Sequence, residues 1–248
     1  VWSNLEVVNE GSPTSIVWAS QGPEGSGKSA FGLSAPGPIY VAAFDPYGID
    51  RVDKKFKAGK NIRIARYAFN PNKYDDKAAC KKAAAEVWKR FVGDYTDALA
   101  HVRTALWDRE DMANKLQRYS SWGDTSAAPS DYEDLYIDYI ALIQEAFKAR
   151  VNLGLLRGLK EKWVSKFDAG KGKMVGHNTG EMIPGGMKGL PDHVDITLSH
   201  RWDDTQNLFM TKLVKFTNPE FRGQEFPNLD FATMAMSAYP ETPVEAWI

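Results

Sequence analysis

The sequence predicts an α/β protein with a mainly parallel central sheet flanked by helices, and three observations carry that expectation. Strand-like and helix-like segments alternate through most of the chain. A glycine-rich loop joins the first strand to the first helix. Two final strand-like runs, joined by a polar turn, close the order as an antiparallel hairpin.

The elements follow in order. Residues 15–19 form a short β-rich run, with Ile16, Val17 and Trp18, that leads into the glycines. A helix is expected from Lys28 to about Ser34, ended by Pro36, Gly37 and Pro38. Residues 39–44 are continuously apolar, the pattern of a strand buried on both faces, and stop at the turn Asp45–Pro46–Tyr47–Gly48. Ile62 and Ile64 alternate in a third strand across 61–68. Residues 75–100 read as a helix with Ala83, Val87, Phe91, Tyr95 and Leu99 on one face, and Gly93 is expected to break it. Residues 102–107 form another apolar run ending at Asp108.

Residues 117–130 are rich in Ser, Gly, Ala and Pro and read as a loop. An amphipathic helix follows over 131–150, with Leu135, Tyr139, Leu142, Ile143 and Phe147 on one stripe, and then a strand at 151–156. Gly170, Gly172, Gly176, Gly180, Gly185, Gly186 and Gly189 crowd residues 170–189, too many glycines for regular structure. The hairpin strands are 194–202 and 208–216, and a short helix over 230–238 lies in the tail. There is no internal repeat. The expected organisation is a single domain over 1–248, with a core at 15–217 and a tail at 218–248.

Composition excludes several function classes. Hydrophobic content of 43% and charged content of 25% are those of a soluble globular protein. The net charge of -1 gives no global pull toward nucleic acid or membrane, so any polyanion site must come from local clustering. Cys80 is the single cysteine, which rules out an intrachain disulfide and reads as a small buried helix residue in a reducing compartment. His101, His177, His193 and His200 lack zinc-site spacing. No apolar run approaches a membrane span and no signal-peptide pattern is present, so a cytoplasmic location and no membrane partner are expected. A few residues are expected ahead of Val1.

The strongest motif is Gly22–Pro23–Glu24–Gly25–Ser26–Gly27–Lys28–Ser29, which matches G-x-x-x-x-G-K-[ST] at every fixed position. Glycines let the backbone wrap so that its N–H groups point at a β-phosphate, and the following helix, through Ala30, adds its positive end. Lys28 is placed for the β- and γ-phosphates and the Ser29 hydroxyl for Mg²⁺. The expected ligands are therefore ATP and Mg²⁺. The preceding strand and following helix supply the context the motif needs.

Such a loop requires a carboxylate at the end of a neighbouring strand to hold the water shell of the metal. Asp108 and Asp45 both end apolar runs, and a strand-end aspartate is also an ordinary turn residue. Asp108 is the favoured metal-side acid and Asp45 a second acid near the γ-phosphate. Glu24 and Glu110 are weaker candidates for catalysis or coupling.

The Gly-Pro-Glu opening of the loop resembles that of RecA-type recombinases. The order of the strand ending at Asp45, the strand ending at Asp108, two loops and a final hairpin is similar to a RecA-like core. Leu156–Arg157–Gly158–Leu159–Lys160–Glu161–Lys162–Trp163 and Asn218–Pro219–Glu220–Phe221–Arg222–Gly223–Gln224 look like the minimal RecA-like ATPases of bacteriophages that support single-strand annealing and recombination. The likeness spans about residues 15–235, and only the phosphate loop is highly specific. It implies ATPase activity stimulated by single-stranded DNA, DNA contact by the two loops, and a ring or filament. One departure stands out: RecA-like enzymes usually carry a catalytic glutamate where this chain has Tyr47, so Asp45 or another acid must activate water.

The residues themselves offer a DNA surface. Arg157, Lys160, Lys162, Lys166, Lys171 and Lys173 face only Glu161 and Asp168, a local charge of about +4, with Trp163 and Phe167 interleaved. A mobile solvated loop would look the same. Arg157, Lys160 or Lys162 could sense the nucleotide from the strand end. The resemblance makes Lys212, Lys215 and Arg222 candidates for a cation donated to a neighbouring subunit, with Arg157 a rival in cis. Strand alternation sets Lys212 and Lys215 on opposite faces. Two other classes stay open: a P-loop kinase of a small acceptor, and a nucleotide-dependent assembly protein with little turnover.

Overall fold

Strand order places the loops before any side chain does. The computed structural model describes residues 15–45, 47–52, 54–125, 131–168, 170 and 173–248. Lys171, Pro46 and the end of the expected polar loop, 126–130, lie outside the described residues.

The first half alternates as expected: β1 (Val17–Gln21), α1 (Lys28–Ser34), β2 (Ile39–Ala43), β3 (Ile62–Arg66), α2 (Lys77–Leu99) and β4 (Thr104–Asp108). Then come α3 (Glu110–Trp122), α4 (Asp131–Lys148), β5 (Asn152–Arg157), β6 (Leu159–Asp168) and β7 (Lys173–Pro184). The chain closes with β8 (Ile196–Asp203), β9 (Leu208–Lys215), β10 (Glu225–Pro227) and α5 (Phe231–Ala238). An eight-stranded sheet runs in the order β10-β9-β8-β1-β5-β4-β2-β3, and β6 and β7 pair only with each other. From β8 to β3 all neighbours are parallel, whereas β9 and β10 add antiparallel strands at the other edge.

Successive side chains of a strand point to opposite faces, and both faces here are covered. Val17, Ala19, Trp107, Leu153 and Leu155 pack with Phe91 and Tyr95 of α2, Leu116 of α3 and Tyr139 of α4. Trp18, Val41, Leu106 and Ile196 pack on the opposite side with Phe31 of α1 and Phe231 of α5. The expected tail belongs to this second layer. Trp247 is buried in it, and Arg103 donates to the carbonyls of Ile248 (2.7 Å) and Ala246 (3.0 Å).

Three expectations need correction. Gly93 does not break the second helix, which is continuous over Lys77–Leu99. A mid-helix glycine costs about 1 kcal/mol relative to alanine, whereas fully burying a Phe or Leu side chain contributes roughly 1.5–3 kcal/mol. Phe91, Tyr95 and Leu99 therefore outweigh it.

Residues 117–122 are helical rather than loop. Their polar side chains are used internally: Gln117 Nε2 donates to the Leu135 carbonyl at 3.0 Å, and Ser120 Oγ to the Gln117 carbonyl at 2.6 Å. The helix ends where Gly123 takes a left-handed conformation at φ 75.

The glycine-rich stretch holds a regular strand, β7, paired antiparallel with β6. Gly176 sits opposite Ser165 and leaves room for the Trp163 ring to pack across it. A register shift between Glu161 and Trp163 absorbs the irregular segment around Gly180.

Gly93 lies on the exposed side of its helix, and a Cβ there would meet nothing within 4 Å. Gly93→Ala is therefore expected to stabilise the protein by about 0.5–1 kcal/mol in urea unfolding, with an unchanged m-value. Destabilisation would mean that the helix needs a weak point there.

Candidate functional site

The parallel register brings four strand ends to one edge. Gln21 pairs with Arg157, Leu156 with Asp108, and Asp108 with Ala43, so the loops leaving β1, β5, β4 and β2 share one rim. Open α/β sheets bind ligands at this carboxyl edge.

The phosphate loop leaves β1 at Gln21 and enters α1 at Lys28. Two of its glycines are sterically required. A Cβ on Gly22 would lie 2.3 Å from the His200 carbonyl oxygen, and one on Gly27, at φ 94, would lie 2.8 Å from the Phe209 ring. The β8–β9 hairpin thus presses the loop into shape from behind. His200 is buried there, sharing hydrogen bonds with Ser20 Oγ (3.0 Å) and Thr211 Oγ1 (3.1 Å). Burial, helped by the Lys28 charge, lowers its pKa to about 3, so the ring is a neutral strut.

Within the loop, Lys28 Nζ donates to the carbonyls of Gly22 (2.9 Å) and Pro23 (2.5 Å) and to Ser26 Oγ (3.3 Å). Burial brings this ammonium down to about 8, and the charge of Arg109 adds to the fall. Ser29 Oγ donates to Asp108 Oδ1 at 3.3 Å. The other oxygen of Asp108, Oδ2, is buried with no hydrogen-bond partner among the described residues. Burial pushes the Asp108 carboxyl up to about 6 against the pull of the Ser29 hydrogen bond, and the nearby Asp45 charge raises it further.

Asp45 and Asp108 flank the same spot, since a Cβ on Gly48 would lie 2.9 Å from Asp108 Oδ2 and 3.5 Å from Asp45 Cγ. Asp45 Oδ1 accepts from the Tyr47 N–H at 3.0 Å, while the Tyr47 side chain is exposed. Glu24 stands on the rim, paired with Arg51 at 2.5 Å, and both side chains are exposed. A cavity of about 450 Å³ opens beside Asp45, lined by Phe44, Phe69, Asn70, Lys73, Arg109 and Met112 among others.

A hydroxyl and a buried, half-unpartnered carboxylate at the start of a phosphate-loop helix suit Mg²⁺. This ion takes few protein ligands and completes its shell with phosphate oxygens and water. Among the described residues no group of three or more His, Cys, Asp or Glu is placed to hold a metal ion on protein ligands alone. No helix among them is long and apolar enough to cross a membrane.

Other sequence candidates fall outside this cluster. Glu110 is fully buried, bound by Tyr139 Oη (2.9 Å) and the Met187 N–H (3.2 Å), with Arg157 Nε 3.2 Å away. Arg157 donates to the carbonyls of Gly185 and Met187, so it is committed to the interior and is no cis cation for a phosphate. Burial raises the Glu110 carboxyl, with Arg157 acting against that. Lys160, Lys162, Lys166 and Lys173 lie on the β6–β7 ribbon, where Lys162 pairs with Glu181 at 2.6 Å. Trp163 and Phe167 are exposed on the same ribbon. Lys215 Nζ is tied to the carbonyls of Pro191 (2.7 Å) and Val194 (2.5 Å), whereas Lys212 and Arg222 are exposed.

Sequence reading missed Arg109. Its guanidinium lies 3.9 Å from Asp45 and bonds Asp111 through Nε (2.9 Å) and Nη2 (2.8 Å). Its place directly after Asp108 was the only available signal, and no spacing rule marks it. No protein-family model matches the chain, and no curated protein matches it.

If Glu110 and Arg157 serve the interior alone, Arg157→Met leaves a buried acid without its partner. A loss of about 3–5 kcal/mol in denaturant unfolding is expected. Full stability with lost nucleotide binding would return both residues to the site.

Proposed function

We propose that the chain is a RecA-like ATPase that binds single-stranded DNA and serves recombination or annealing, of the kind bacteriophages use in the host cytoplasm. One observation carries this reading. The phosphate loop, the Ser29–Asp108 pair and the root of a lysine- and aromatic-bearing ribbon lie on one sheet edge, joined by β5, which runs between β1 and β4.

In this reading the N–H groups from Gly25 to Ala30 receive the β-phosphate and Lys28 spans the β- and γ-phosphates. Ser29, and Asp108 through water, would hold Mg²⁺, which neutralises charge on those phosphates. Water attacks the γ-phosphorus, the bond to the β–γ bridging oxygen breaks, and ADP and inorganic phosphate leave. Asp45 would accept the proton of the attacking water, because it flanks the same spot as Asp108 and Tyr47 stands where RecA-like enzymes usually carry the catalytic glutamate. On the ribbon, Lys160, Lys162, Lys166 and Lys173 neutralise phosphates while Trp163 and Phe167 offer stacking faces. In a ring or filament, Lys212 or Arg222 would complete a neighbour's site.

A second reading, phosphoryl transfer to a small acceptor, draws on the cavity beside Asp45. Release of inorganic phosphate in buffer containing only Mg-ATP separates the two, since a kinase needs the acceptor.

Mg-ATP turnover is expected to rise on adding single-stranded DNA, and Lys28→Ala to lower it by about 100-fold or more. Asp108→Asn should retain nucleotide binding and lose most turnover; a larger loss in Asp45→Asn would exchange the roles of the two acids. Undiminished turnover in folded Lys28→Ala would defeat the proposal.

The ribbon lysines are tested separately. Changing Lys160, Lys162, Lys166 and Lys173 to Ala should flatten the log–log salt dependence of DNA binding by about 0.7 for each lysine that holds a phosphate. An unchanged slope moves the DNA site elsewhere.

A further inference from the structure

The three residues after Asp108 all turn toward the two roots of the β6–β7 ribbon. Glu110 lies against Arg157, whose guanidinium holds the Gly185 and Met187 carbonyls. Asp111 Oδ1 accepts from the Gly158 N–H at 3.1 Å, and its Cβ lies where a Cβ on Gly185 would come within 2.9 Å. Gly158 and Gly185 are themselves joined, Gly185 N–H to Gly158 carbonyl, at 2.8 Å. Arg109 packs on the same spot: a Cβ on Gly158 would lie 3.3 Å from its Nη2.

Arg109 also faces the other way. Its bonds to Asp111 use Nε and Nη2, and Nη1 points to the nucleotide side, where its contact is the loose 3.9 Å pair with Asp45. The backbone of Arg109 is left-handed, at φ 71 and ψ 62, a conformation that is strained for a non-glycine residue and persists only where the surroundings impose it. Its side chain is about one-third exposed, so a ligand on the phosphate loop can reach it. One guanidinium therefore stands between the two sides, with Nε and Nη2 bound to Asp111 beside the ribbon roots and Nη1 loosely paired with Asp45.

We propose that Arg109 detects the third phosphate of a nucleotide bound on the loop and, in turning to it, releases Asp111 and alters how the ribbon roots are held. This rests on the nucleotide reading given above. The chemistry favours the exchange. A guanidinium fork matches a phosphate as well as it matches a carboxylate, and a terminal phosphate carries more negative charge than the Asp111 carboxylate. ADP has no group in that position, so only the triphosphate competes with Asp111. A ligand shifts such an equilibrium only by its differential affinity for the two arrangements, and the Arg109–phosphate contact supplies that difference. When Arg109 leaves, Asp111 loses its guanidinium partner and keeps the hydrogen bond from the Gly158 N–H, and the guanidinium no longer packs against Gly158.

The test compares wild type, Arg109→Gly and Arg109→Lys, glycine being the residue that fits φ 71 without strain. Calorimetry gives affinities for Mg-ATPγS and Mg-ADP, and hydrogen exchange follows the amides of Gly158 and Gly185 with each nucleotide. Wild type is expected to exchange differently at these roots with the two nucleotides. Arg109→Gly should lose about tenfold or more in ATPγS affinity, with a smaller effect on ADP, and should lose the exchange difference. Arg109→Lys should recover part of the ATPγS affinity, because it keeps the charge, without restoring the exchange difference. The proposal is overturned if Arg109→Gly keeps the wild-type ratio of the two affinities, or if wild-type root exchange is the same with both nucleotides. Wild type that binds neither nucleotide overturns the nucleotide reading itself, a distinct result.

Discussion

The site depends on the parallel register of β1, β5, β4 and β2. With Gln21 opposite Arg157 and Leu156 opposite Asp108, the phosphate loop, the ribbon root and the buried acid arrive at one level of the sheet. A slip of one residue would turn every side chain of a strand to the other face. Trp107 would then leave its layer with Tyr95 and Tyr139, where the rings meet edge to face at 5.2 and 5.3 Å, and Leu106 would leave Trp18 and Phe31. Two different apolar layers thus fix the register, and the register places Asp108 beside Ser29. Packing far from the loop decides the chemistry at its mouth.

Charge is distributed on the same edge with little to spare. Lys28 and Arg109 stand among Asp45, Asp108 and Asp111. Burial acts most strongly on the Asp111 carboxyl and would raise it, but the hydrogen bonds and charge of Arg109, the Gly158 N–H and the Lys115 charge together outweigh it and hold the group below its usual range. Asp108 accepts from the neutral Ser29 hydroxyl instead, and burial takes it the other way, up to about 6. A divalent cation beside Asp108 would favour its charged form, and phosphates would draw on both Lys28 and Arg109. The cluster is thus balanced by its own members and open to being rebalanced by an anion and a metal.

What could be read in the sequence divides along a physical line. The strand–loop–helix of the phosphate loop, the strand-end acids Asp45 and Asp108, and the closing hairpin are local patterns, each set by a few neighbouring residues. The ribbon and the third helix were misread because their stability is not local. Gln117 and Ser120 looked like loop residues until the Leu135 carbonyl and the helix backbone took up their hydrogen bonds. Gly176 looked like a breaker until Trp163 lay across it. The Glu110–Arg157 pair and the Gly158-to-Asp111 hydrogen bond join residues 47 apart. Arg109, although bonded to its near neighbour Asp111, takes its place from Asp45 and Gly158 on other segments, which no spacing rule connects.

The proposed function requires this loop to hold the phosphates of a nucleotide with Mg²⁺ between Ser29 and Asp108. A crystal structure of the chain grown with Mg²⁺ and a non-hydrolysable ATP analogue tests it directly. The expected result is a β-phosphate enclosed by the N–H groups from Gly25 to Ala30. Lys28 Nζ should be drawn from the Gly22 and Pro23 carbonyls to the β- and γ-oxygens, and the ion should be ligated by Ser29 Oγ. An analogue bound away from the loop, or a Lys28 still held by those two carbonyls with the analogue in place, would contradict it.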